Sequence, residues 1–237
     1  LITFGNQAYP KFGQIVILAG GAASGKGYVL DSLLGIEGNV LDVDALKALA
    51  IGSTRLASKI KDETGVDIKD LSLKNGDDVK TLHDVLSDVY GITKANQQRV
   101  FSGVLAAPDD RKPNLIFDVT LKDMQKLDDV TRNAVKLGYD KKNIHIVWVL
   151  NDIDLAQQQN LERDRVVPSD ILLSTHEGTA ITMARIMDLG SDLKRYLDGD
   201  MFIAFNKRGE DTTTVSSPRG GRYVLDANYI QIKKQGS

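Results

Sequence analysis

The most informative segment of this chain of 237 residues is Ile15-Val16-Ile17-Leu18-Ala19-Gly20-Gly21-Ala22-Ala23-Ser24-Gly25-Lys26. Its first five residues form an apolar run without alternation, which is typical of a buried strand in a parallel sheet. Small residues and a lysine then join this strand to a predicted helix. A strand, a glycine-rich loop and a helix in this order indicate a phosphate-binding loop.

The loop is suited to hold the phosphates of a nucleotide. Its glycines let the main chain turn with the N–H groups facing inward, and the next helix points its positive end at the same place. Lys26 reaches the outer phosphates, so the sequence predicts a nucleoside triphosphate, with ATP as the ligand. The residues expected to bind it are Gly20, Gly21, Ala22, Ala23, Ser24, Gly25, Lys26, Gly27 and Tyr28.

The loop departs from the usual pattern at Gly27, where a Ser or Thr normally gives a hydroxyl to Mg2+. Tyr28 cannot replace that hydroxyl. We expect phosphate oxygens, water and nearby carboxylates to hold Mg2+ instead, because this ion keeps several waters. The run 20–27 also resembles the loop of adenylate kinases, in which a Gly follows the Lys, and this favours a small kinase over a GTPase or a motor.

Composition and charge set the broad class. The chain is 42% hydrophobic and can bury a full core, and its net charge of −2 gives no global field that recruits nucleic acid. It has no cysteine, which excludes disulfides and thiolate metal sites. The three histidines, His83, His145 and His176, are too scattered to suggest zinc. Without signal-peptide zones or a run long enough to cross a bilayer, we expect a cytoplasmic protein that binds no membrane, of open oligomeric state.

Apolar runs alternate with helical patterns along the chain. This order predicts an α/β fold, a doubly wound parallel sheet of the kind found in P-loop NTPases and kinases. The strands are predicted at 15–19, 39–41, 115–117 and 144–150, and the helices at 25–34, 79–89, 94–105 and 123–137.

Two regions are predicted to decorate this core. Residues 45–107 carry helical patterns separated by glycines, which indicates a helical insertion beside the cleft. Short strands at 201–205, 212–215 and 223–232 predict a small antiparallel appendage, and pairing of this appendage onto the sheet edge is an open alternative. We therefore expect a core in residues 1–195 and a C-terminal β appendage in residues 196–237.

Carboxylates follow two of the predicted strands. Asp42 and Asp44 lie two residues apart and point to the same face, near the carboxyl edge where such sheets bind ligands. A kinase needs a carboxylate that orients the acceptor hydroxyl and takes its proton, and we assign this role to Asp44, with Asp42 as a substrate contact. Alternatively, either residue caps the helix that begins at Ala45.

The second strand end supplies Asp118 and Thr120. Asp118 is predicted to orient Mg2+, and its alternative is an ordinary turn acid. Thr120 is predicted to donate to a phosphate or substrate oxygen, or else to cap the next helix.

In this order the motifs resemble those of P-loop kinases of the zeta-toxin type. That group has an acid-x-x-Arg/Lys element, a strand ending in Glu-Gly-Thr, a Gly-Tyr pair before the next strand, and an arginine-bearing segment followed by Val-Pro. The corresponding elements, all within residues 14–175, are Asp44-Ala45-Leu46-Lys47, Asp118-Val119-Thr120, Gly138-Tyr139 and Arg163-Asp164-Arg165-Val166-Val167-Pro168. The departures are Asp118 for Glu, Val119 for Gly and Gly27 for Ser or Thr.

The resemblance implies roles for several residues. Asp44 would be the catalytic base, Lys47 a contact to substrate or phosphate, and Arg163 and Arg165 the charges that neutralise the transferring phosphoryl group beside Lys26. Fixed guanidinium groups suit that task in a site that excludes water. We expect the arginine segment to be a loop or a lid end that closes over the site, the alternative being a solvated charged stretch.

Two classes of function follow. The first is an ATP-dependent kinase of a hydroxyl acceptor, such as a nucleotide sugar or a nucleoside, with a hydroxyl on nucleic acid as the runner-up. The second is a nucleotide-dependent binding or switch protein without transfer, for which the missing hydroxyl at Gly27 leaves room. The basic residues that favour nucleic acid are Lys207, Arg208, Arg219, Arg222, Lys233 and Lys234.

Overall fold

A sheet of six strands, with helices on both of its faces, forms the centre of the computed structural model. The strand order is β2-β3-β1-β4-β5-β8, in which the first five strands are parallel and β8 is antiparallel. The predicted doubly wound α/β fold is therefore confirmed. The structure describes residues 1–7, 10–42, 53–89, 92–163, 166–206, 213–216, 222–225 and 228–237.

The element bounds agree closely with the sequence pattern in the sheet. The strands are β1 (Ile15–Ala19), β2 (Asn39–Leu41), β3 (Leu115–Val119), β4 (Ile144–Leu150), β5 (Met201–Phe205), β6 (Thr213–Ser216), β7 (Arg222–Leu225) and β8 (Tyr229–Lys233). The described α-helices are α1 (Lys26–Ser32), α2 (Thr54–Thr64), α3 (Gly76–His83), α4 (Ile92–Ala106), α5 (Met124–Lys136), α6 (Ile153–Glu162) and α7 (Ser169–Asp188). No helix among the described residues is long and apolar enough to cross a membrane.

Side chains of β1 alternate between two cores, one on each face of the sheet. Ile15 and Ile17 belong to the core that includes Leu127 of α5. Val16 and Leu18 belong to the opposite core with Val29 of α1. Because successive strand residues point to opposite faces, a sheet covered on both sides requires the unbroken apolar run that the sequence shows.

The predicted helical insertion has an apolar core of its own. Its described helices are α2, α3 with a π-helical continuation at Asp84–Val89, and α4. Helices α2 and α3 begin at side-chain caps, Ser53 and Asn75, which satisfy main-chain N–H groups of the first turn. The core residues are Ala57, Ile60, Ile68, Leu82, Val85 and Leu86.

The C-terminal strands follow the prediction in part. Met201–Phe205, β5, pairs onto the main sheet, but it runs parallel to β4 and not antiparallel as predicted. Strand β8 then pairs antiparallel with β5, while β6 and β7 pair antiparallel with each other in a separate ribbon. The boundary predicted between residues 195 and 196 stays a prediction, but the strand just after it belongs to the central sheet.

Candidate functional site

A cleft of about 800 Å³ lies at the carboxyl ends of the parallel strands. The glycine-rich loop lines it with residues 22–28, and Asp42, Asp118 and Thr120 line it from the ends of β2 and β3. Arg163, the residue that ends α6, also lines this cleft. The fold thus brings together predicted residues from four separate segments of the chain.

Other predicted residues are not part of the described cleft wall. Gly20 and Gly21 do not line it; their carbonyl oxygens accept hydrogen bonds from Lys26 Nζ, at 2.9 Å and 3.3 Å. Lys233, the last residue of β8, and Lys234 lie outside the cleft wall, and Lys233 Nζ is 3.2 Å from Asp198 Oδ1 with its side chain only 13% exposed. The remaining predicted residues lie outside the described part of the chain or have side chains outside it. These are Asp44, Lys47, Arg165, Lys207, Arg208, Arg219 and Arg222.

Lys26 and Asp118 form an ion pair at the floor of the cleft. Lys26 Nζ lies 3.6 Å from Asp118 Oδ1, and the two side chains are only 14% and 17% exposed. The pairing of β1 with β3 sets Leu18 opposite Asp118, which brings the loop after β1 beside this carboxylate. A lysine next to a carboxylate at a sheet edge can hold a phosphate and its metal ion together.

Asp42 joins this pair through the register of the sheet. Leu41 of β2 pairs with Phe117 of β3. Asp42 follows Leu41 and Asp118 follows Phe117, so the two carboxylates occupy equivalent positions at the same edge of the sheet. Among the described residues there is no group of three or more possible metal ligands. Two carboxylates still fit Mg2+, because this ion prefers oxygen ligands and completes its shell with water and phosphate.

Gly25 is required by both its conformation and its surroundings. It precedes α1 with a φ of 95°, in the left-handed region that favours glycine. A Cβ atom at this position would also lie 2.4 Å from Asn206 Nδ2. The predicted role of this glycine in the turn of the loop is consistent with that geometry.

Amide side chains hold the outer side of the loop. Asn151 Nδ2 donates to Ala23 O at 3.3 Å, and Asn206 Nδ2 donates to Ser24 O at 3.1 Å. Both Asn side chains also donate to Gln159 Oε1, at 3.0 Å and 3.1 Å. With these carbonyl oxygens engaged by the protein, the loop favours a conformation in which its N–H groups face a ligand.

Helix α7 contacts the loop and the end of β3. Ala22 N donates to Thr175 Oγ1 at 3.0 Å, and His176 Nε2 lies 2.7 Å from Ala22 O. Thr179 Oγ1 donates to Thr120 O. Burial lowers the pKa of His176; the hydrogen bond to Ala22 opposes this shift, and the charge of Lys26 adds to it. His176 is therefore neutral near pH 7.

Thr120 does not cap the helix that follows it. The cap of α5 is Asp123, whose Oδ1 accepts a hydrogen bond from Lys126 N at 2.8 Å. The side chain of Thr120 lines the cleft instead. Of its two predicted roles, contact with a phosphate or substrate oxygen therefore stays open as a prediction.

The insertion meets the arginine segment at one side of the cleft. Val166 N donates to Leu73 O at 2.7 Å, and Lys74 Nζ donates to Arg163 O. Gly76 packs so close to Pro168 that an added Cβ would lie 2.5 Å from its Cγ. The start of α3 and the start of α7 are thus joined beside Arg163.

The cleft also contains charged residues that the sequence did not predict, namely Lys80, Lys122, Asp123 and Lys126. Its described wall carries five amino or guanidinium groups and three carboxylates, so positive charge is in excess and an anionic ligand is favoured. The cationic groups are Lys26, Lys80, Lys122, Lys126 and Arg163, and the carboxylates are Asp42, Asp118 and Asp123. Apolar wall residues are Val79, Val119, Val167, Pro168 and Ile171.

Similarity to known proteins is found in structure and not in sequence. No family model matches the chain, and no curated protein matches its sequence. The crystal structure of AvrRxo1-ORF1:AvrRxo1-ORF2 with sulphate ions matches with a TM-score of 0.53 and 14% identity, over 90% of this chain and 58% of that one. The chain therefore spans a little over half of that protein.

A toxin–antitoxin system gives a second structural match. The PezAT system of Streptococcus pneumoniae matches with a TM-score of 0.51 and 13% identity, over 86% of this chain and 72% of that one. At such identities the likeness concerns the fold. The resemblance to zeta-toxin-type P-loop kinases that the motif order predicted is thereby confirmed at the level of the fold.

Proposed function

We propose that the chain is an ATP-dependent phosphotransferase that moves the γ-phosphate of ATP to a hydroxyl acceptor. One observation carries the proposal: Lys26 of the glycine-rich loop lies 3.6 Å from Asp118 on the wall of a cleft that Arg163 also lines. A phosphate-binding lysine, a carboxylate for the metal and a guanidinium group for developing charge are the parts that phosphoryl transfer needs.

The glycine-rich loop is proposed to bind the phosphates of ATP. Its N–H groups and Lys26 Nζ would engage phosphate oxygens, in place of the Gly20 and Gly21 carbonyls that Lys26 contacts. Asp118 is the oxygen donor predicted for Mg2+, and Asp42, predicted as a substrate contact, is proposed as a second donor to this ion, which neutralises phosphate charge when it is bound.

Transfer itself needs a base and positive charge. In the proposal, Asp44 takes the proton of the acceptor hydroxyl while that oxygen bonds to the γ-phosphorus, and the bond to the bridging oxygen breaks to release ADP. Arg163 and Arg165 would stabilise the charge on the transferring group, and Lys47 would contact the acceptor or a phosphate. The role of Asp44 rests on its place after a predicted strand and on the sequence resemblance, and the roles of Lys47 and Arg165 rest on the resemblance.

Transfer of the labelled terminal phosphate of ATP tests this function. The acceptors are nucleosides, nucleotide sugars, and single- and double-stranded oligonucleotides, each with Mg2+. We expect a labelled small-molecule product from the wild type, none from Lys26→Ala, and none from Asp44→Asn, which should still bind ATP. Normal transfer by Asp44→Asn would refute the assignment of the base.

The excess of positive charge in the cleft keeps a nucleic-acid acceptor as the second candidate. Label in an oligonucleotide, with binding that weakens steeply as salt is added, would establish that version. Free phosphate alone from a protein that binds ATP tightly would instead indicate a nucleotide-dependent switch.

A further inference from the structure

Both polar main-chain groups of Ala22 are held by two consecutive residues of α7. Ala22 N–H donates to Thr175 Oγ1 at 3.0 Å, while Ala22 O lies 2.7 Å from His176 Nε2. A carbonyl oxygen only accepts, so His176 Nε2 carries the proton and donates it. Thr175 Oγ1 donates its own proton to Leu172 O at 2.8 Å, which leaves a lone pair for Ala22 N–H. Thr175 and His176 thus form a clamp on Ala22, in which each polar group has one defined hydrogen-bonding role.

The ring of His176 also packs directly on the loop at Gly21. A Cβ atom added to Gly21 would lie 2.3 Å from His176 Cδ2, a distance that no side chain tolerates. The loop therefore contacts α7 at two successive residues. One turn later, Thr179 Oγ1 donates to Thr120 O, so the same helix also holds the strand end that follows Asp118.

We infer that Thr175 and His176 are positioning residues of the phosphate loop, which fix the Ala22 peptide and so the direction of the N–H groups that follow it. The inference deepens the proposed function and rests on it. A loop of Gly, Ala and Ser has many accessible conformations, and ordering them on binding lowers affinity. The clamp supplies that order before the nucleotide binds.

Paired substitutions separate the clamp from simple packing. Thr175→Val keeps the shape of the side chain and removes its hydroxyl, and His176→Ala removes the N–H donor. Thr175→Ser keeps the hydroxyl, and His176→Gln keeps an N–H donor. Thr182→Val, two turns further along α7 and also buried, is the matched control. The measurement is the Kd for labelled ATP with Mg2+, at a temperature where circular dichroism shows every variant folded.

We expect Thr175→Val and His176→Ala each to weaken ATP binding about tenfold, the effect of one lost hydrogen bond. Thr175→Ser and His176→Gln should stay within about twofold of the wild type, as should Thr182→Val. Faster hydrogen exchange of the loop amides in Thr175→Val, measured without nucleotide, should accompany the loss.

The inference is overturned if the wild type binds ATP and both Thr175→Val and His176→Ala bind it equally well. If these variants also melt at a lower temperature, Thr175 and His176 serve stability alone. If the wild type itself does not bind ATP, the proposed function fails and this inference fails with it.

Discussion

At the scale of single residues, the site depends on how closely main chain approaches side chain. Gly21 faces the ring of His176, and Gly25 faces the amide of Asn206, with room for no Cβ atom at either position. Glycine in such loops is usually explained by the approach of a phosphate. In this loop the side chains of His176 and Asn206 also require glycine, because they occupy the space that a Cβ atom would need. Gly27 differs from both, because a Cβ atom there would meet nothing within 4 Å.

The contact between Gly21 and His176 predicts coupled effects on stability. Gly21→Ala should lower the free energy of unfolding by about 1–3 kcal/mol, because the new methyl group overlaps the ring. In a His176→Ala background the same change should cost far less. Urea denaturation of the four proteins of this cycle measures the coupling, and strictly additive effects would show that the two residues do not touch.

The open space at Gly27 predicts that a hydroxyl can be added there. Gly27→Ser should raise the free energy of unfolding by about 0.5 kcal/mol, because serine is a better helix residue than glycine. If Mg2+ binds beside the loop, the new hydroxyl should also lower the Mg2+ concentration needed for half-maximal transfer. A folded variant that no longer binds ATP would contradict the assignment of this position.

At the scale of elements, the insertion and the arginine segment form one side of the cleft. The bonds from Val166 N to Leu73 O and from Lys74 to Arg163 O join the start of α3 to the residues before α7. Helix α3 presents Val79 and Lys80 to the cleft. Because the insertion has its own core, this junction sets where α3 stands relative to the loop.

Gly76→Ala tests this junction. The added methyl group would meet the Pro168 ring and push α3 away from the arginine segment. We expect transfer to fall about tenfold through misplacement of the cleft wall, with ATP affinity unchanged. The matched control is Gly103→Ala on α4, where the Cβ atom meets nothing within 4 Å. Equal transfer by both variants would show that the junction does not position the site.

At the scale of the whole molecule, the sequence predicted what depends on local pattern. The bounds of β1 and β4 follow from apolar runs, because strands buried on both faces are almost wholly apolar; His145 is the one polar residue in these two strands. The pattern of β5 is similar, but a strand's pattern does not give its direction relative to a neighbour, so the sequence did not predict that β5 runs parallel to β4. Asn151 and Asn206 directly follow apolar strands, a signal that would have found them.

The sequence carries no signal for the hydrogen bonds from α7 to the phosphate loop. Thr175 and His176 occur inside a long helix whose period indicates a buried face, and the period does not say which loop that face contacts. Asp44, Lys47 and Arg165, which lie outside the described residues, stay predictions from motif order.

Two histidines, the buried His145 and the half-buried His176, predict how stability depends on pH. His145 Nδ1 accepts from Asp200 N at 2.8 Å, and Nε2 pairs with Gln14 Oε1 at 2.8 Å. Burial lowers the pKa of His145 and also of His176, so both are neutral in the folded protein. The unfolded chain binds these protons near pH 6.5, and the free energy of unfolding should therefore fall as the pH decreases below about 6.5.

Asp200 extends the decline to lower pH. Burial alone would raise the pKa of Asp200, but the contact of its carboxylate with His145 and the hydrogen bonds donated by Gly5 N and Gln235 N lower that pKa to about 2. Its contribution to stability is present above the unfolded pKa and is lost as the pH falls toward 2. Urea denaturation at pH 7, 5, 3 and 2 checks both steps. His145→Gln should flatten the first step, and an unchanged slope would contradict the assignment.

Equilibrium binding of labelled ATP with Mg2+, measured at pH 7 for the wild type and for Lys26→Ala, tests the nucleotide site without any need for an acceptor. The wild type should bind ATP saturably, and the variant should bind it at least about a hundredfold more weakly, since a buried charge-assisted contact to phosphate is lost. Equal affinity in both proteins, or no binding by the wild type, would contradict a nucleotide site at this loop.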